Sequence, residues 1–332
     1  MSAPPTIAAV MGPEPRPWVS IMIPTWQPDV GFLRQAVESV LADRPADAEV
    51  ALVDDASPEF DADAFARGFA RDAIRVIRAS EHRGLAGNWN ACLAAARGHF
   101  VHLLHQDDFV LPGFYAAVRR GLDADPAVGA AYTASLLCRA DGRGWAPRLV
   151  PMTAPGLLVD WPRHVFARLS IQCSAIVVRR AVYETLGGFD GAYRYALDWD
   201  MWRRIAVRHP IWFHPEPLAA YRMHPRSESA RQQATGDHLI EIFRSIERSA
   251  PLLPPDLAPR VLRAARFHYA TYAIESAFAV RQLTGRTADA RRHLAIARSA
   301  VGMGTMAAAA VTVAARGLVR SVQREAAIVG MP

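Results

Sequence analysis

Residues 85–108 read LAGNWNACLAAARGHFVHLLHQDD, and the change of period inside this stretch decides the fold. Leu85 to Ala96 carries small and apolar residues at helical spacing, and Arg97-Gly98 predicts a glycine C-cap. Phe100 to Leu104 (FVHLL) is a short, mostly apolar segment that reads as a strand. It runs straight into His105-Gln106-Asp107-Asp108.

The same alternation extends upstream. Trp18 to Thr25 (WVSIMIPT) reads as a buried strand, and Val30 to Leu41 as a helix with Phe32, Leu33, Ala36, Val37, Val40 and Leu41 on one stripe. Val50 to Val53 is a second strand ending in Asp54-Asp55, Ala62 to Ala70 a helix, and Ile74 to Ile77 a third strand. Strands and helices alternating through short connections predict an α/β fold with a mostly parallel sheet and right-handed crossovers. Ligands of such sheets gather at the carboxyl ends of the strands, which here carry Pro24-Thr25, Asp54-Asp55 and Asp107-Asp108.

Two adjacent carboxylates after an apolar strand repel each other unless a cation neutralises them, and a hard divalent ion such as magnesium or manganese does so. Asp107-Asp108 has a second reading as the cap of a helix opened by Leu111-Pro112, and Asp54-Asp55 as a turn with Ser57-Pro58 capping the next helix. Each pair alone leaves the choice open.

Downstream, 128–230 is mixed. Val128 to Cys138 and Ile171 to Arg179 read as strands, Ala181 to Leu186 as a short helix closed by Gly187-Gly188, and Trp199 to Arg208 as another helix. From Ser229 onward the pattern is nearly all helical, with Pro251, Pro254 and Pro255 dividing it. The chain thus divides into a proline-rich lead (1–17), a central α/β domain (18–230, its halves meeting at 127/128) and a helical C-terminal region (231–332).

With 51% hydrophobic and 21% charged residues, the 332-residue chain has the composition of a soluble globular protein. Its formal charge is +6, and all 38 basic side chains are arginine, which favours anionic partners without selecting one. Cys92, Cys138 and Cys173 are odd in number and widely spaced, so a disulfide framework or zinc cluster is not indicated, and reduced thiols suit a cytoplasmic protein. The N-terminus has no secretory pattern. Ser299 to Ala315 is uncharged, but too short and weakly apolar for a membrane span, which predicts a buried or surface-lying helix.

Five segments, VSIMIPTWQP, EVALVDDASPE, HRGLAGNWNACLAAARGHFVHLLHQDDFVLPGF, GGFDGAYRYALDWDMWRRIA and YRMHPRSES, resemble in order and spacing the family 2 glycosyltransferases with the GT-A fold. The likeness covers residues 18–230 and implies an inverting enzyme that moves a sugar from a nucleoside-diphosphate sugar, a UDP-sugar first, to a saccharide or lipid-linked acceptor. Cell-surface polysaccharide or glycoconjugate synthesis is the implied setting, and manganese or magnesium the implied cofactor.

By the same resemblance Pro24, Thr25 and Trp26 lie beside the base, Asp55 bonds it, and Asp54 supports the turn. Arg83 approaches the diphosphate, as a planar guanidinium can. Asn90 belongs to the nucleotide-binding segment with Gly84. Asp107 bonds the ribose or metal-bound water, Asp108 coordinates the ion, and His224 closes on metal or diphosphate, with Arg222 and Arg226 beside it. His105 stands where the commoner pattern has a first carboxylate and reads as structural. Asp198 matches the general base, with Leu197 replacing an acid before it; Asp200 is a cap or supporting group. Ser174 and Arg179 fall on the strand that faces the acceptor, and acceptor choice falls on the variable segment Arg139–Arg168, where Trp145, Trp161 and Phe166 are stacking or packing aromatics.

In the tail, Arg316, Arg320 and Arg324 recur every four residues, with Leu318, Val319 and Val322 opposite. This predicts peripheral contact with an anionic membrane, and an oligomer interface is the competing reading. Two other functions stay open: a polyprenyl-phosphate sugar transferase, and a catalytically dead nucleotide-sugar-binding module, suggested by His105 and Leu197. A dinucleotide-dependent oxidoreductase is disfavoured because no Gly-x-Gly-x-x-Gly follows the first strand, and no nucleic-acid reader module is recognisable.

Overall fold

A computed structural model describes residues 16–142, 146–147 and 150–329. In chain order the elements are β1 (Val19–Thr25), α1 (Val30–Asp43), β2 (Ala48–Asp54), α2 (Ala62–Ala66), β3 (Arg75–Arg78), α3 (Gly84–Ala95), β4 (Phe100–Leu103), β5 (Phe109–Val110), α4 (Phe114–Ala124) and β6 (Ala130–Arg139). After the short β7 (Ala146–Pro147) and β8 (Gly156–Leu157) come β9 (Ile176–Arg179), α5 (Arg180–Leu186), α6 (Leu197–Arg208), β10 (Ile211–Met223), α7 (Glu228–Thr235), α8 (Asp237–Ser249), α9 (Ala258–Thr284) and α10 (Thr287–Val329).

One sheet runs β3-β2-β1-β4-β9-β6-β10-β5. Its first four strands are parallel, and the largely apolar β1, β2 and β4 are buried on both faces. In the second half β9 is antiparallel to both β4 and β6, while β6 and β10 are parallel, so the sheet is mixed rather than mostly parallel there. Successive β1 residues bury on opposite faces: Ile21 and Ile23 join Leu33, Val37 and Phe114 on one side, and Met22 joins Trp89, Val101 and Trp202 on the other. Burial on both faces is what forces the apolar runs.

Several local expectations are corrected. The Ala62 helix stops at Ala66, and the predicted strand from Ile171 begins only at Ile176, after a 3-10 turn over Cys173–Ala175. Gly98 is not a left-handed cap, since α3 ends on Ala96 in extended backbone. Its N–H donates to Ser20 Oγ at 2.8 Å, and a Cβ there would meet Ser20 N at 2.7 Å. Close approach to β1 therefore demands the glycine. Ser57 caps nothing; α2 is capped by Asp61, and Ser57 Oγ accepts from Gln27 N.

His102 and His238 are buried, and burial depresses each to about 4. A histidine held neutral in the native state contributes stability that is complete above pH 6.5 and lost as pH falls toward 4, because the unfolded chain then binds more protons. Each contributes up to about 3 kcal/mol. Urea unfolding followed from pH 7.5 to 4.5 is expected to show the midpoint falling only below about 6.5, and His102→Asn is expected to flatten the slope.

Candidate active site

Register brings the strand-end residues to one edge. Thr25 pairs with Asp54 across β1 and β2, and Leu104 N donates to Met22 O, placing His105 to Asp108 just beyond β4. β10 returns to the same edge because Ala220 pairs with Phe109 of β5, next to Asp108. His224 thereby reaches Asp107, with Nε2 2.9 Å from Oδ2.

The helix-cap reading of Asp107-Asp108 fails, because α4 is capped from elsewhere. Gly113 N and Tyr115 N both donate to the Asp43 carboxylate, at 2.6 and 3.0 Å. Asp108 is instead 1% exposed, with Oδ1 accepting from Arg222 N at 2.9 Å and Oδ2 lacking a hydrogen-bond partner. Burial and then the Asp107 charge push its carboxyl well above the usual range, against the pull of the Arg222 N–H and Ser174 hydroxyl. An orphaned buried carboxylate oxygen beside a like charge is an environment that a cation relieves.

His105, read as structural, stands with the two acids: one ligand atom from each of His105, Asp107 and Asp108 lies within 4.8 Å of the others. Its Nδ1 is 3.5 Å from Asp108 Oδ2, its ring lies 4.9 Å from Trp89, and burial lowers its pKa so that the imidazole stays neutral. A neutral imidazole with two carboxylates is a donor set suited to manganese or magnesium.

Arg222 does not face a phosphate. It is 2% exposed, donates from Nε to Asp107 O (2.8 Å) and from Nη1 to Ala140 O (2.7 Å), bonds Gln35, and covers the Phe32 ring at 4.4 Å. It is an internal strut for the acidic turn. Arg226 is exposed and paired with Asp29.

On the β1–β2 side, Trp26 is 36% exposed and stacks on His82 with ring centroids 4.5 Å apart. Asp55 accepts from Arg83 N (3.0 Å) and Gly84 N (3.0 Å) at the start of α3 and lies 2.8 Å from His82 Nδ1, so it anchors this loop. Asp54 holds the preceding turn through Ser57 N and pairs with Arg78. Pro24 and Thr25 are buried in β1, and the Arg83 side chain is exposed. Gln106, which sequence reasoning passed over, grips the Trp26 backbone at both ends: Trp26 N donates to Oε1 at 2.9 Å and Nε2 donates to Trp26 O at 3.2 Å. The acidic turn and the aromatic loop are therefore one hydrogen-bonded unit.

Asn90 is corrected in role. Its amide donates to Phe189 O and accepts from Phe189 N, at 3.0 and 2.8 Å, so it holds the Gly187–Asp190 loop rather than reaching the strand ends. A Cβ on Gly188 (φ +75°) would meet Asn90 Oδ1 at 2.6 Å, which explains the second glycine. Arg204 ties the same loop to α6 by donating to Leu186 O and Gly188 O while bonding Asp200 at 2.8 Å. Asp200 is thus a supporting group.

Asp198 sits in the first turn of α6. The chain leading into that turn is held by Glu241 from α8, which accepts from Arg194, Tyr195 and Ala196 N–H groups at 2.6 to 3.0 Å. Nothing local in the sequence marks Glu241. Burial, and then the charges of Asp198 and Asp108, push the Cys173 thiol up. Ser174 is buried, its carbonyl accepting from His102. Arg179 donates to Val128 O and Leu122 O and packs on Phe100, away from any acceptor role. Trp161 and the buried Phe166 pack edge to face, whereas Trp145 lies outside the described residues.

A parallel half-sheet with acids at its carboxyl ends, joined to a mixed half, is the architecture of a GT-A glycosyltransferase. Residues 20–163 match the family model of glycosyl transferase family 2, which places this segment of the chain in that family. The O-antigen biosynthesis protein RfbC of Myxococcus xanthus is 33% identical over 229 residues, 67% of this chain and only 17% of that protein. S. aureus TarS 1-349, solved in complex with UDP-GlcNAc, shares the fold with a TM-score of 0.64 at 14% identity, over 85% of this chain and 81% of that one. The mannosyltransferase PcManGT from Pyrobaculum calidifontis, solved with GDP-Man and Mn2+, does so with a TM-score of 0.58 at 22% identity, over 92% and 81%.

Proposed function

We propose that this glycosyltransferase moves a sugar, with inversion, from a nucleoside-diphosphate sugar to an acceptor hydroxyl in polysaccharide or lipid-linked glycan synthesis. The observation that carries the reading is the buried Asp108 oxygen without a hydrogen-bond partner, grouped with Asp107 and His105 at the sheet edge that also presents the Trp26–His82 stack. The names of RfbC and the donor complexes of the two solved structures support it.

The Trp26–His82 stack offers a platform for the base, with Asp55 and Asp54 fixing its edge. Arg83, exposed beside that edge, meets the diphosphate. Asp107 and Asp108 hold the ion, with His224 and His105 beside them. Manganese or magnesium bound there supplies Lewis-acid stabilisation of the departing nucleoside diphosphate. Asp198 takes the proton from the acceptor hydroxyl, which attacks the anomeric carbon from the face opposite the leaving group. One displacement inverts the configuration.

Thermal-shift titration with UDP-, GDP- and other nucleotide sugars, with and without manganese, tests the reading. A UDP-sugar is expected to stabilise the protein only with the ion present; stabilisation indifferent to manganese would count against the ion site. Donor binding without turnover would favour the dead binding module. Gln106→Ala is expected to weaken nucleotide affinity roughly tenfold, because two hydrogen bonds at about 0.5–1.5 kcal/mol each hold the Trp26 platform. Calorimetric titration with the nucleoside diphosphate checks this, and unchanged affinity would remove Gln106 from the site.

A further inference from the structure

Between Arg298 and Arg316 lie 17 uncharged residues, Ser299 to Ala315, in α10. An evenly apolar helix normally lies inside a protein. Here only one side is covered: Ala309 is buried, and Val301, Met306 and Val313 pack with it against Ala270 and Ile274 of α9. On the other side Met303 is 66% and Val311 70% exposed, eight residues apart with exposed Ala307 midway, so the three share one face. Leu294 and, on α9, Phe278 are exposed as well. Thr287–Gly317 is long and apolar enough to cross a membrane, yet only 11% of its apolar window is buried.

Length and charge decide what covers this face. Gly302 (φ 77°, ψ 168°) breaks the helix, leaving thirteen uncharged residues from Met303 to Ala315. At 1.5 Å per residue these span about 20 Å, short of a hydrocarbon core of about 30 Å. The segment is therefore suited to lying on a bilayer rather than crossing it. From Ala258 to Gly317 nine arginines stand against two acids, an excess greater than the formal +6 of the whole chain, with Arg292 paired to Asp237 and Arg316 to Glu275. A second copy docked face to face would set these arginines against each other, whereas an anionic headgroup layer neutralises them. The side chains of Leu318, Val319, Arg320, Val322 and Arg324, where the sequence places its amphipathic face, lie outside the described residues.

We infer that the outer face of α10, centred on Met303, Ala307 and Val311 and flanked by Arg298 and Arg316, docks on a membrane surface carrying anionic glycerophospholipid. The docked helices are rigidly joined to the acceptor half: Tyr269 of α9 packs on Trp199 at 5.5 Å, next to Asp198, and its hydroxyl accepts from Leu169 N at 3.1 Å. The inference stands whether or not the donor chemistry proposed above is correct.

Co-sedimentation of the full-length protein with vesicles tests it. Binding to phosphatidylglycerol-containing vesicles, weakened by salt and absent on phosphatidylcholine alone, is expected. Met303→Glu with Val311→Glu is expected to lower partitioning roughly tenfold or more. Both side chains are largely exposed, so an unchanged melting temperature verifies the fold of the variant. Arg298→Gln is expected to lower binding by a smaller, salt-sensitive factor. Failure to bind anionic vesicles, or binding untouched by the double substitution, overturns the inference. So does a concentration-dependent dimer that the double substitution dissolves, which would assign the face to a second copy.

Discussion

Asp198→Asn is expected to reduce the rate of sugar transfer by a factor of about 10²–10⁴, the contribution of a positioned general base. Affinity for the nucleotide is expected to stay within about twofold, because the loss belongs to the transition state and not to donor binding. The fold has no reason to fail: Glu241 holds the segment leading into the helix, and an asparagine oxygen can still accept from Trp199 N as the Asp198 carboxylate does at 2.9 Å. Steady-state transfer kinetics, paired with calorimetric titration of the donor, separate the two quantities. A variant with full kcat would strip Asp198 of the base role. Asp200 is a poor substitute, since Arg204 already holds it.

Asp108→Asn is expected to have opposite effects on activity and ion-free stability. Activity that depends on manganese is expected to disappear at ordinary concentrations, with ion affinity at least about 100-fold weaker, since even outer-sphere partners of a metal site contribute 10–100-fold. Without the ion, the same change removes a buried carboxylate that is disfavoured by burial and by Asp107, while keeping an acceptor for Arg222 N. Stability of the ion-free protein is expected to rise by roughly 1 kcal/mol, as at other sites where charge is held for function. Calorimetry in chelator and in manganese measures both halves. Retained manganese dependence, or a loss of ion-free stability, would contradict the assignment.

Much of the donor side was readable along the chain because its logic is local. A strand buried on both faces is largely apolar, so β1, β2 and β4 declare themselves, and Asp54-Asp55 and Asp107-Asp108 stand out as acidic pairs at or just beyond their ends. Position alone did not settle their roles. Whether Asp107-Asp108 capped α4 turned on Asp43, some 70 residues earlier in the chain. Arg222 and Asn90 look like ligand contacts in sequence, and both prove to be internal ties, because their partners Asp107, Ala140 and Phe189 are brought to them only by folding.

The Gly98 cap failed for a related reason. Glycine after a helix signals left-handed backbone, but it also serves wherever two chains come too close for a Cβ, and only the packing of Gly98 on Ser20 distinguishes the cases.

The sequence by itself determined the α/β architecture, the edge of the sheet where ligands gather, and the identity of the acids there, because burial on two faces imposes a period that no long-range contact can alter. The tertiary structure alone decided that Gln106 clamps Trp26, that Glu241 holds the segment leading into the helix bearing Asp198, and that α10 leaves its outer face bare. Each of these depends on which distant segment lies alongside, and hydrogen bonds and burial between residues far apart in the chain leave no periodic trace in it.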